Sequence, residues 1–123
     1  IIEILEAAPW VFDARYNLVL VPATKHSILR RWLARRGFAL CAETLAQAAG
    51  RWYAVMNAQY AGTAHEPDGL ECLCGKTEGQ PGFGAYCAQQ NVKLKKYRLG
   101  LAPGAEADAV DALIQELEKR SCL

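Results

Sequence analysis

Asn17-Leu18-Val19-Leu20-Val21-Pro22 decides the fold. Four consecutive apolar residues closed by proline, without polar alternation, predict a short strand covered on both faces, as in a parallel sheet. The residues after Pro22 fit that setting. Thr24 or Ser27 is placed to cap a helix, and Ile28, Leu29, Trp32 and Leu33 form one apolar stripe. The arginines at 30, 31, 35 and 36 are expected mostly on the opposite side. Gly37 stops the helix, and Phe38-Ala39-Leu40 begins a strand at once, a short αβ link. Two antiparallel strands are predicted, about Phe38 to Ala46 and Arg51 to Tyr60, turning at Ala48-Ala49-Gly50.

The flanks are simpler. Residues 1 to 8 carry apolar side chains at 1, 2, 4, 5 and 8, a helical stripe that Pro9 ends. The chain opens at Ile1, without methionine and inside that pattern, so it is expected to be the later part of a larger protein. Six glycines and two prolines between Gly62 and Gly84 predict a linker with little regular structure. Beyond it, Phe83, Tyr86, Gln90, Leu94, Tyr97 and Leu101 form a seam at spacings of three and four. Ala102-Pro103-Gly104 breaks it. Val110, Leu113, Ile114 and Leu117 supply a partner stripe, so a helical hairpin is expected. The division read from the chain is 1–61 for the sheet-bearing part, 62–80 for a linker and 81–123 for the hairpin.

Composition narrows the function. The net charge is +1, which gives no global signal for nucleic acid; local clusters carry the information. No apolar run approaches the roughly 18 to 20 residues of a membrane span. No secretory signal is visible, and a cytoplasmic location is expected. Five cysteines, an odd number, fit no disulfide framework. Cys72-Leu73-Cys74 lacks the second ligand pair of a zinc site, so no metal is expected and the thiols are read as reduced. Gly79, Gly82 and Gly84 do not form a phosphate loop.

Asn17 to Pro22, Leu29-Arg30-Arg31-Trp32-Leu33, Gly37-Phe38, Glu43 and Gly50-Arg51-Trp52-Tyr53 together resemble the bacterial tRNA (adenine-N1)-methyltransferase family. Lys76, Pro81, Phe83, Tyr86, Lys93, Leu94 and Leu101 resemble its closing coiled-coil extension. Two departures stand out. Val21 occupies a position where the family usually has glutamine, and Ala54 one where it usually has glutamate.

The resemblance implies an α/β fold. It would be the C-terminal part of a Rossmann-like methyltransferase sheet, with one parallel strand, a helix and an antiparallel β-hairpin, followed by an α-helical coiled-coil hairpin. It implies S-adenosylmethionine as cofactor, held by an upstream glycine-rich loop absent here, and tRNA as partner. No catalytic residue is then expected in this segment. Val21, Pro22, Lys25 and His26 are expected on the substrate side of the crevice at the strand end. Arg30, Arg31, Lys93, Lys95, Lys96 and Arg98 are candidates for RNA phosphates. An unpaired sheet edge would favour self-association. The alternative is a non-catalytic RNA-binding or protein-interaction module.

Overall fold

The computed structural model describes residues 1–122. Its elements are α1 (Ile2–Glu6), a 3₁₀ turn (Pro9–Val11), β1 (Asn17–Leu20), α2 (His26–Arg35), β2 (Phe38–Ala48), β3 (Arg51–Tyr60), α3 (Gly69–Cys74), α4 (Phe83–Leu99) and α5 (Ala105–Arg120).

The three strands lie in the order β1-β3-β2, and β3 pairs antiparallel with both neighbours. This corrects the expected setting of β1. It has no parallel neighbour among the described residues; it runs parallel in direction only to β2, one position away. The chain β1-α2-β2 crosses over and leaves a gap, which β3 fills from the hairpin. The hairpin turns on Ala49 (φ 51°) and Gly50 (φ 76°). Both residues have positive φ, as the tight turn that matches strand twist demands. A register shift between Leu40 and Ala42 bends β2 near its start.

Only one face of the sheet is covered. Leu18, Leu45, Ala54, Met56 and Ala58 point into the core, against Leu29 and Leu33 of α2 and Phe83 and Tyr86 of α4. Val19, on the other face of β1, is 67% exposed. The expectation of a doubly covered strand is thus corrected: among the described residues nothing covers the second face of β1. The edge of β1 away from β3 also has no partner among the described residues.

The glycine-rich segment is more ordered than its composition implies. Asp68 caps α3 by accepting from the Glu71 amide at 2.7 Å. Cys72, Leu73 and Cys74 are buried. Three apolar residues bracketed by glycines outweigh the turn signals, because α3 has a core to bury them in. Beyond it, α4 and α5 form the expected hairpin. Side chains bridge the two helices: Tyr97 to Glu106, Arg98 to Asp111 and Lys95 to Glu118.

Candidate nucleic-acid interface

Arg30 lies one helical turn from His26 and three residues before Leu33. That spacing puts it on the buried side of α2, and the structure finds it 4% exposed. All five guanidinium donors are used. Nε and Nη2 meet the Glu43 carboxylate, with a closest approach of 2.7 Å. Nη1 donates to the carbonyls of Cys72 and Leu73, each at 3.0 Å. Nη2 also donates to the Tyr86 hydroxyl at 2.9 Å. Nothing remains for a phosphate. The expectation that Arg30 contacts RNA is therefore corrected: it fastens α2, β2, α3 and α4 to one another.

Glu43 is equally enclosed. Its Oε2 accepts from the Lys76 amide at 2.7 Å. A Cβ on Gly75 would lie 1.8 Å from that carboxylate oxygen and 2.4 Å from Arg30 Nε, at a φ of +53°. Glycine is required there on both counts.

His26 begins α2 and is 2% exposed. The Tyr86 hydroxyl accepts from Arg30 and is also hydrogen-bonded to His26 Nδ1, 2.7 Å away. Burial, reinforced by the charges of Arg30, Lys93 and Arg51, pushes the His26 pKa down to about 4, against the Pro22 backbone, which raises it. Burial pushes the Tyr86 hydroxyl up to about 12, with Arg30 opposing. His26 is thus a poor proton acceptor at neutral pH, and its ring serves to anchor the loop to the hairpin.

The structure brings Lys25, His26, Arg31 and Lys93 to one cleft of about 450 Å³ between the start of α2 and the hairpin. The two sets of candidates, loop and helix, thus share a surface. Lys25, Arg31 and Lys93 have no carboxylate partner among the described residues. Lys95 is paired with Glu118 at 3.2 Å and Arg98 with Asp111 at 2.8 Å, toward α5 rather than the cleft. Lys96 is exposed, has no carboxylate partner among the described residues and lies away from the cleft lining. Pro22 is buried and Val21 is 51% exposed. Val21 does not line the cleft, and Pro22 lines a second hollow beside α1 with Ile1, Ile2 and Ile28.

Sequence reasoning missed Glu43 and Tyr86 as partners. A glutamate two residues before inward-facing Leu45 on the same strand was the available signal, because alternate residues share a face.

Residues 1–56 match the family model for a methyltransferase domain. No curated protein sequence matches the chain significantly. Among solved structures, a Streptococcus pneumoniae protein assigned as a tRNA (m1A22) methyltransferase superposes with a TM-score of 0.71 at 21% identity, covering 97% of this chain and 55% of that one. A Streptococcus agalactiae protein of the NADB-Rossmann superfamily gives 0.69 at 18%, over 97% and 53%. The B. subtilis m1A22 tRNA methyltransferase gives 0.61 at 22%, over 97% and 54%. The chain spans about half the length of these structures. Over almost its whole length, this chain has the fold of a portion of the tRNA (m1A22) methyltransferases.

Proposed function

We propose that this chain is the C-terminal part of an S-adenosylmethionine-dependent tRNA adenine-N1 methyltransferase of the bacterial cytoplasm. Residues 1–61 complete the Rossmann-like sheet, 62–80 link, and 81–123, of which residue 123 lies outside the described residues, form a coiled-coil hairpin. The main support is the superposition of 97% of the chain on the B. subtilis m1A22 tRNA methyltransferase structure. Two features add to it. β1 presents an unpaired edge and an uncovered face, with Val19 and Val21 exposed, where a further parallel strand and its helices would lie. The cleft holding Lys25, Arg31 and Lys93 offers unpaired cations to an RNA backbone.

The S. pneumoniae protein has been solved with S-adenosyl-L-methionine, and M. capricolum TrmK with S-adenosyl-homocysteine, which supports the same donor here. The donor's cradle is not among these residues. β1 is followed by Val21 to Lys25 without a glycine, and Lys25 and buried His26 fill the place of a tight turn. The donor is assigned to polypeptide beyond this chain. The chain's own part is to extend the sheet, to place Val21, Pro22, Lys25 and His26 at the rim of the crevice, and to hold tRNA with Arg31, Lys93, Lys96 and, at the hairpin flank, Lys95 and Arg98. Arg30 is withdrawn from that set. Alone, the free edge of β1 is open to pairing with a second copy.

The test is methyl transfer from labelled S-adenosylmethionine to unmodified tRNA by the complete polypeptide that contains this chain. The expected product on digestion is 1-methyladenosine. Tight tRNA binding with no methyl incorporation would replace this reading with the non-catalytic RNA-binding module.

A further inference from the structure

The cleft between α2 and the hairpin has the size and chemistry for one nucleotide. At about 450 Å³ it falls within the range of small-ligand sites, roughly 300–1,000 Å³. Its two ends differ. At one end is the start of α2. Lys25 occupies the cap position with φ 58°, and no side chain caps the helix. The first intrahelical bond is made by the Leu29 amide, so the amides of His26, Ser27 and Ile28 precede it. Neither Thr24 nor Ser27 performs the capping expected from its position. Lys25, Arg31 and Lys93 line the cleft without a carboxylate partner among the described residues, and Ser27 and Arg31 share a helix face. Three cations face a single carboxylate in the lining, Glu106, and that one accepts a hydrogen bond from the Tyr97 hydroxyl at 2.5 Å.

The other end is apolar and aromatic. Leu94, Val110 and Leu113 form a floor beside the Tyr97 ring, which is 54% exposed. Gln90, buried at 4% exposure, lies one helical turn from Leu94 on the same stripe. A helix start with unpartnered cations binds an oxyanion. An open aromatic ring over an apolar floor accepts a base by stacking, whatever the base.

We propose that this cleft binds one 5′-phosphorylated nucleotide of an RNA strand, its phosphate against Lys25, Arg31, Lys93 and the first turn of α2 and its base on Tyr97 and Leu94. The assignment deepens the tRNA reading and rests on it. Because stacking carries the base, the cleft takes purine and pyrimidine nucleotides alike. Because Tyr97, Lys93 and Gln90 lie on one stripe of α4, whose next turn back carries Tyr86, the occupied cleft sits directly above the contact that ties His26 to the hairpin.

The experiment titrates the 123-residue chain with AMP, UMP and adenosine while following backbone amide resonances, then adds unmodified tRNA. Both nucleotides are expected to move Ser27, Arg31, Lys93 and Tyr97. Adenosine, without the phosphate, should bind about tenfold more weakly. Arg31→Ala and Lys93→Ala, both exposed and neutral to folding, should each weaken AMP about tenfold. Lys119→Ala, an exposed cation outside the cleft, should leave it unchanged. tRNA should displace AMP. Absence of shifts at millimolar nucleotide, or AMP that tRNA fails to displace, overturns the proposal. If the complete polypeptide nevertheless methylates tRNA, only the cleft assignment falls. If the cleft behaves as stated and no methyl is transferred, the enzymatic reading falls and the nucleotide site stands.

Discussion

Replacing Glu43 by alanine is expected to cost about 3–5 kcal/mol, the range for leaving one member of a buried ion pair without its partner. Arg30 would keep its carbonyl and Tyr86 contacts but lose the carboxylate that both Nε and Nη2 address. The Lys76 amide would lose its acceptor as well. A domain of this size has only about 5–15 kcal/mol in total, so the variant should stand near the limit of folding. The measurement is urea unfolding followed by tryptophan fluorescence. A shift of the midpoint at constant slope is the expected signature. The double replacement Arg30→Met with Glu43→Leu should recover much of the loss, since it removes the charge along with its partner. A Glu43→Ala cost below about 1 kcal/mol would place the pair in the class of solvated surface bridges and contradict its enclosure.

Tyr86→Ala is expected to destabilise by about 3–5 kcal/mol, as for other large aromatic deletions from a core. The ring is fully buried between the sheet and α2. Tyr86→Phe isolates the hydroxyl. It strips one partner each from His26 and Arg30 and should cost about 1–3 kcal/mol. The same locus sets the pH response. His26 titrates near 4 in the folded chain and near its ordinary 6.5 when unfolded, so its contribution is complete above pH 6.5 and is lost as pH falls toward 4. The full loss is about 3 kcal/mol. Unfolding midpoints between pH 7 and 4.5 should therefore fall steadily in the parent chain and stay nearly level in His26→Gln. Tyr86→Phe should keep the slope, because burial and the charges of Arg30, Lys93 and Arg51 produce the shift. A parent chain with a flat profile over that interval would refute the neutral, buried histidine.

Periodicity makes the helices and the hairpin legible, because each has a long apolar pattern with clear punctuation. It fails where a short signal has two meanings. Leu18 to Val21, closed by Pro22, reads as an interior parallel strand from its apolar run alone, yet among the described residues β1 is an edge with an antiparallel neighbour, because β3 returns into the gap. The segment from Gly62 to Gly84 reads as a linker by glycine count, yet α3 forms because Cys72, Leu73 and Cys74 have a core to enter. At the site, Lys25, Arg31 and Lys93 are legible as charges but not as a group; their meeting depends on how the hairpin packs against α2, which no local pattern encodes. Arg30 reads as a phosphate contact from residue type alone. Its spacing from His26 and Leu33 already places it on the inner face of the helix.

If β1 is an interior strand of a larger sheet, presented here at an edge, its outer amides lack a partner that the complete protein supplies. Amide hydrogen exchange reads this out, carried out at a dilution where light scattering shows a monomer. The amides of β1 that point away from β3 should exchange rapidly in the 123-residue chain. In the complete polypeptide they should slow by about 100-fold or more, as a neighbouring strand closes on them. Equal exchange in the two proteins, or strong protection already present in the monomer, would contradict an interior position for β1.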